Sequence, residues 1–588
     1  MSRLSKYGFV VFAAAVLLVP FVPFIPPYWI TLLVFIGLAG LVALGLVVLT
    51  GVGGMTSFGQ AAFVGFGAYT SAFLTTSLGW SPWLTLPASL AVTGVAALLI
   101  GAVTVRLSGH YLPLGTIAWG ISFYFLFGNL KWLGAYDGIA NVPPLSLAGY
   151  ALLDNRSYYL LVWIVVLLAL AGTANLLDSR MGRSIRALRS GSMAAESVGV
   201  DAWRAKLVVF VYAALLAGLS GWLYAHFQRA VTPGVFSLTA GIEYLLMAVL
   251  GGAGHIYGAL LGAGVVILLK DALQDFLPAV FGSGGNYEGI VFGALLIAAL
   301  QWARDGLWPL AAGWIRAPGR VIAPAPPLPV SGFRQAGEPL LQVESVRKDF
   351  GGLVAVNDVS FSVDQGRIVG LIGPNGAGKS TTFNMITGVL GSTRGRILLD
   401  GKPIGGLRPA EIARHRIGRT FQHVKLSAHM SVLENVALGA HLKGRAGYLA
   451  ALLRLDRGEE ARIFAEAARQ IDRVGLAEVM HRPADTLALG QQRLAEIARA
   501  LMLEPRLLLL DEPAAGLRHL EKQALAGLLR ELRSEGMSIL LVEHDMDFVM
   551  GLTDHIVVIN FGTRIAEGTP DTVRNDPAVI DAYLGASL

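Results

Sequence analysis

Residues Ile368–Thr381 read IVGLIGPNGAGKST. A short apolar run, rich in β-branched residues, ends abruptly in glycine, and helix-forming residues follow. That is the strand–loop–helix context in which G-x-x-x-x-G-K-[ST] binds phosphate. Gly373, Gly376 and Gly378 let backbone N–H groups curl around phosphate oxygens, with Asn375 and Thr381 inside the same loop. Lys379 reaches the terminal phosphates and Ser380 offers an oxygen to Mg²⁺. About 130 residues later, Leu507–Leu510 forms another apolar strand and ends in Asp511-Glu512-Pro513. An Asp at a strand end beside a phosphate loop can hold Mg²⁺ through water, and an adjacent Glu can polarise an attacking water. Residues 338–588 are therefore read as an α/β nucleotide-binding domain.

The chain before this domain has a different composition. Of 588 residues, 54% are hydrophobic and only 15% charged, and there are 71 glycines. Residues 1–318 carry 25 of the 86 Asp, Glu, Lys and Arg residues. Residues 7–105 carry none, and further uncharged runs fill 107–130, 157–177, 207–228 and 244–269. A spanning helix needs roughly 20 apolar residues, so residues 1–316 read as an all-α polytopic domain in membrane lipid. The net charge of +6 is small for this length and fits basic loops at a membrane surface better than nucleic acid. There is no cysteine, which excludes disulfides and thiol catalysis.

Basic residues set the orientation. Ser179–Lys206 holds Arg180, Arg183, Arg186, Arg189, Arg204 and Lys206 against Glu196 and Asp201, the bias of a cytoplasmic loop. Arg3, Lys6 and Arg106, then Arg304, Arg316 and Arg320, place both ends of the membrane half on that side. Crossings are expected near 7–25, 29–50, 56–78, 84–105, 111–130, 157–177, 207–228 and 287–303. The glycine-rich run 241–269 must split near Gly254–Tyr257 for the parity to close. About ten helices result, within a range of eight to eleven. Lys131–Arg156 falls outside the cell. Residues 317–337 contain five prolines and read as a linker.

Further motifs carry a family resemblance. Leu487–Arg493 (LALGQQR), just before Asp511, resembles the signature motif of ATP-binding cassette (ABC) ATPases, with Ala488, Gly490 and Gln491 at its nucleotide-contacting positions. Gln422 in RTFQ resembles that family's Q-loop glutamine, His544 in LVEHD its switch histidine, and Phe350 the aromatic that stacks on adenine. VAVNDVSF at 354–361, Asn384–Leu390, GQQRLAEIARAL at 490–501, DEPAAGL at 511–517 and the ending at 581–585 are similar to ATPases of branched-chain amino acid importers. TSFGQAAFVGFGAYT at 56–70, 181–187 with 194–200, and IEYLLMAVLGGAG at 242–254 are similar to permeases of the same systems. The resemblance implies a permease and an ABC ATPase fused in one chain in a bacterial inner membrane. It implies ATP and Mg²⁺ as ligands, with the metal near Ser380, Gln422 and Asp511, and Glu512, His544 and Gln422 serving hydrolysis.

It also implies partners: a second permease and second ATPase, or a second copy of the chain, and an extracytoplasmic solute-binding protein. The loop Arg180–Arg204 is expected to couple the halves by docking near Gln422–Glu434, with Ser192 close to Ser427. Two positions depart from the family. Ala488 replaces the usual signature serine, and Arg518 stands where many relatives have an aspartate. An exporter of lipids or drugs is the rival reading, as is an importer of amides, urea or small acids.

Overall fold

The computed structural model describes residues 3–107, 109, 111–281, 290, 293–294, 297–298, 301–302, 306–312, 322–328 and 338–584. The chain divides into two compact units, Met1–Asp178 with Trp203–Gly319, and Ser179–Ala202 with Arg320–Leu588.

Among the described residues of the first unit, six helices are long and apolar enough to cross a membrane. They are Pro27–Val52, Pro82–Thr104, Tyr111–Asn129, Asn155–Leu177, Ala202–Gln228 and Ile256–Gln274. Gly8–Phe21 and Leu238–Gly252 are shorter apolar helices. The stretch expected to span at 56–78 is helical only over Gln60–Thr76, 17 residues. Glycines and small polar residues at 53–59 lack the side-chain bulk and intrinsic preference to extend it N-terminally.

The run 241–269 is two helices, Leu238–Gly252 and Ile256–Phe281. They pack so closely that a Cβ on Gly251 would lie 1.9 Å from the carbonyl oxygen of Gly258. Here the glycines serve helix–helix approach, as small residues do in lipid. Some polar groups inside this unit are paired internally, as an apolar surround favours, while the buried Gln60 amide and the Tyr69 and Thr93 hydroxyls have no hydrogen-bond partner. Ser71 bonds Thr85 at 2.6 Å and His226 Nε2 at 2.8 Å, while His226 Nδ1 lies 2.7 Å from Pro143 O. Most of the expected crossing 287–303, and the residues Arg304, Arg316 and Arg320, lie outside the described residues.

The second unit is built on two sheets. One has six strands in the order Ile417–Arg419, Leu507–Asp511, Ser538–Val542, Ile368–Ile372, His555–Asn560, Thr563–Gly568. Its first five strands run parallel and the last antiparallel. Three central strands are buried at every position, which explains why they are mostly Ile, Val and Leu. The second sheet is antiparallel, in the order Leu353–Asp364, Pro339–Phe350, Arg394–Leu399, Lys402–Pro403.

Helices such as Leu489–Leu501 and His519–Ser534 bury Leu, Ile and Ala faces with the central strands in one core. The proline-rich stretch 317–337 lies largely outside the described residues. Within it, Leu328 is buried in that same core.

Candidate nucleotide site

Register places the chemistry. Asp511 pairs with Val542, and Val542 with Leu371, so the strands Leu507–Asp511, Ser538–Val542 and Ile368–Ile372 end at one edge. Glu512, the pair Glu543-His544 and the phosphate loop from Gly373 come directly after these strands in sequence. Ligands of open α/β sheets bind at this carboxyl edge.

The loop is set by backbone that only glycine takes easily. Gly378 has φ of 98°, and a Cβ there would sit 2.6 Å from the carbonyl oxygen of Ala355. Gly378→Ala therefore carries backbone strain and a clash together, about 1–3 kcal/mol. The expected result is roughly ten- to hundredfold weaker binding of a fluorescent ATP analogue.

The helix Lys379–Ile386 starts at the loop. Lys379 is buried, and its Nζ donates to Gly373 O at 2.7 Å and Pro374 O at 2.9 Å. Burial pushes its pKa down, against the pull of Glu512 and Asp511. Ser380 is exposed at the helix start.

Asp511 is buried, and its backbone N–H donates to Thr420 Oγ1 at 3.3 Å. Burial raises its pKa, and Arg419, whose Nη2 lies 4.0 Å from Asp511 Oδ2, opposes the rise. Asp511 Oδ1 is buried with no hydrogen-bond partner. An orphaned carboxylate oxygen beside a phosphate loop fits a cation or its bound water. Among the described residues no group of three or more His, Cys, Asp or Glu could hold a metal by itself.

Glu512 is a non-glycine residue with φ of 48°. Its N–H donates to Val542 O at 2.8 Å, and its carbonyl accepts from Arg493 Nη1 at 2.8 Å. The strained backbone is thus clamped on both sides, as functional positions often are. Arg493 Nη2 also reaches Gln422 O at 3.3 Å, so one guanidinium joins the residues after two strands. Gln422 and His544 have exposed side chains.

Glu543, just before His544, is fully buried; its carboxylate accepts from Ala514 N at 2.6 Å and His544 N at 3.1 Å. Burial raises its pKa. Phe350 is 45% exposed at the end of its strand, with Lys348 Nζ 5.2 Å from the ring centroid. Sequence reasoning passed over Arg419, Arg493 and Glu543, because nothing in their spacing says what they reach.

The signature segment stands apart. Ala488 precedes the helix Leu489–Leu501, and its N–H donates to Gln491 Oε1 at 3.3 Å. Among the described residues no hydrogen bond joins Ala488, Gly490 or Gln491 to the chain's own phosphate loop. Ala488 and Leu489 are exposed. Arg518 also precedes a helix, and its N–H donates to Glu521 Oε2 at 2.8 Å.

The segment Ser179–Ala202 lies in sequence between two membrane-length helices, yet packs in the same unit as the cassette. It forms the helices Arg180–Arg189 and Ser192–Glu196. Arg186 Nη1 is 2.9 Å from Glu434 Oε1. The deeper contact is with the helix Arg457–Arg473, beyond the expected stretch Gln422–Glu434. Arg183, 1% exposed, holds both carboxylate oxygens of buried Glu460, at 2.6 and 3.1 Å, and lies over the Phe464 ring.

Arg180 donates through its backbone N–H to Glu460 at 2.8 Å, and through its guanidinium to His441 O and Ala446 O. Burial next to Arg180 and Arg183 drives the His441 imidazole down to about 3, so it stays neutral among them. Ser190, not the expected Ser192, meets Ser427, with Oγ atoms 3.0 Å apart.

Fold and site together define an ABC-type transport ATPase carried on the same chain as a polytopic membrane domain. A family described as branched-chain amino acid transport system / permease component matches residues 5–300. The ABC transporter family matches 356–515, and the branched-chain amino acid ATP-binding cassette transporter family 563–587. The chain belongs to the branched-chain amino acid transport permease family, with the ATP-binding subunit of such a system fused behind it.

Among its relatives is the high-affinity branched-chain amino acid transport ATP-binding protein BraF of Pseudomonas aeruginosa. It is 47% identical over 250 residues, 42% of this chain and 98% of that protein. LivG of Escherichia coli K12, of the same description, is 46% identical over 251 residues, with 42% and 98% covered. A crystal structure of the ADP conformation of MJ1267, an ATP-binding cassette of an ABC transporter, is 35% identical. It covers 42% of this chain and 99% of that one, with a TM-score of 0.38.

Proposed function

We propose that this chain imports branched-chain amino acids across a bacterial inner membrane, as one permease and one ATPase of a larger assembly. ATP is held by Gly373, Asn375, Gly376, Gly378, Lys379, Ser380 and Thr381, with Phe350 against the base. Ser380, Gln422 and Asp511 would hold Mg²⁺, which when bound neutralises phosphate charge. Glu512 takes a proton from the attacking water, Gln422 orients that water, and His544 steadies the charge that develops on the γ-phosphate. Ala488, Gly490 and Gln491 face a partner's nucleotide, because this chain's signature segment does not reach its own loop. A second cassette and a second permease, or a second copy of the chain, therefore complete the sites. Residues 1–316 form the permease, 317–337 the linker and 338–588 the ATPase.

One observation carries the coupling. The loop between two membrane-length helices is keyed into the cassette through the buried Arg183–Glu460 pair. Closure of the ATPase pair then pulls on that loop and switches the accessible side of the membrane domain.

The test is flux into proteoliposomes containing the full assembly and ATP. Uptake of leucine, isoleucine or valine that requires an added solute-binding protein supports the reading. Efflux of lipid or drug probes without one would replace it by an exporter.

A further inference from the structure

The helix Leu489–Leu501 buries three charged side chains, Arg493, Glu496 and Arg499, the last two where their neighbours Ala495, Ile497 and Ala498 are apolar. Glu496 is 1% exposed and Arg499 2%. Charges are costly in a core unless fully paired, and well-packed apolar residues would stabilise it as well or better. What they bond explains their presence. Glu496 Oε2 accepts from Phe421 N at 3.3 Å, and Oε1 accepts from Lys425 N at 3.1 Å. Arg499 Nη2 donates to Glu496 Oε1 at 2.9 Å, and Nη1 donates to Lys425 O at 2.7 Å. Arg493, one turn earlier, reaches Gln422 O and Glu512 O. A stretch of backbone outside regular structure, 421–425, is thus gripped at several points by one helix. That helix begins at the signature segment.

The other end of the stretch meets the membrane loop. Ser427 bonds Ser190, and Asn435 holds Ser427 through N–H and C=O at 2.7 and 3.0 Å. Glu434, next to Asn435, pairs with Arg186. Among the described residues, the hydrogen bonds of Arg493, Glu496 and Arg499 go to 421–425, to Glu512 and to one another.

We propose that Glu496 and Arg499 form a buried clamp through which the position of the loop Ser179–Ala202 is transmitted to the signature helix and to Glu512. Both are positioning residues. A displacement at Ser427 moves 421–425, and the clamp makes the helix and the Glu512 carbonyl follow. Without the clamp the stretch moves alone. This rests on the coupled ATPase reading above.

The chain has no cysteine, so Ser190→Cys with Ser427→Cys in the full chain and its assembly introduces one thiol pair across the loop contact. With Glu496 intact, oxidising the pair is expected to change steady-state ATP hydrolysis about fivefold or more, reversibly on reduction. With Glu496→Gln added, hydrolysis should be the same oxidised and reduced, while fluorescent-ATP affinity stays at the parent value. A purely structural role would lower yield or melting temperature in both redox states and leave their ratio untouched.

Arg499→Lys, which keeps the charge and shortens the reach to Lys425 O, gives the same reading should Glu496→Gln fail to fold. An oxidised-to-reduced ratio unchanged by either variant, or a ratio of one with Glu496 intact, overturns the clamp. Absence of hydrolysis in the reduced parent overturns the coupled ATPase reading itself, and the clamp with it.

Discussion

Glu512→Gln is expected to leave ATP affinity near the parent value and to cut hydrolysis by about 10²–10⁴-fold, the usual worth of a positioned general base. The amide keeps the size of the carboxylate and removes its ability to take a proton. The backbone that aims the side chain does not depend on it. Glu512 N–H is held by Val542 O, and its carbonyl by Arg493, so the strained φ of 48° survives the change. Lys379 and the rest of the phosphate loop are untouched. ATP then remains between this cassette and its partner, and the assembly should accumulate in an ATP-dependent closed form. The measurement is phosphate released per nucleotide photolabelled on this chain, because any partner cassette without the substitution would contribute turnover of its own. Hydrolysis at the parent rate on this chain would remove Glu512 from the chemistry and leave His544 as the next residue to test.

The parts of this site that were legible in the sequence are those whose chemistry demands a residue type at a fixed spacing. Gly378 cannot be replaced without strain, Lys379 must follow it, and Asp511-Glu512 must end an apolar strand. The sheet around them was legible because buried parallel strands read as short, mostly Ile, Val and Leu, runs. What escaped notice depends on tertiary reach. Arg493, Glu496 and Arg499 look like the ordinary charged positions of an amphipathic helix. Only the packed structure shows that they bond 421–425 and Glu512, more than ten residues away in sequence.

Hydropathy likewise marked the apolar content of 56–78 without marking that glycine and small polar residues delay its helix to Gln60. The break in 241–269 was legible from the parity of the crossings and from three glycines within 251–254, which weaken any helix. The loop Ser179–Ala202 announced its charge and its side of the membrane. Its main acidic partners, Glu459 and Glu460, lie over 250 residues further on, in a helix with many other charges.

Those partners make the second large prediction. Arg183→Glu places a carboxylate against buried Glu460, with Arg180 alone to offset two negative charges. Breaking a buried pair costs about 3–5 kcal/mol, because the group left behind is desolvated and unpaired. The loop should therefore leave its site. Solute-stimulated ATP hydrolysis and uptake should fall by about 10²-fold or more, while ATP binding to the cassette is unchanged.

Glu460→Arg alone should act similarly, by setting two guanidinium groups together beside Phe464. The double variant restores opposite charges at the same two positions and is expected to recover part of the coupling. Recovery is incomplete because Arg180 N–H also donates to Glu460 and Arg180 Nε lies 3.4 Å from Glu459. A double variant no better than the singles would mean that the pair only fills space. Partial recovery would mean that charge sign selects which acidic helix this loop accepts, a way for a two-cassette assembly to keep each permease on its own ATPase.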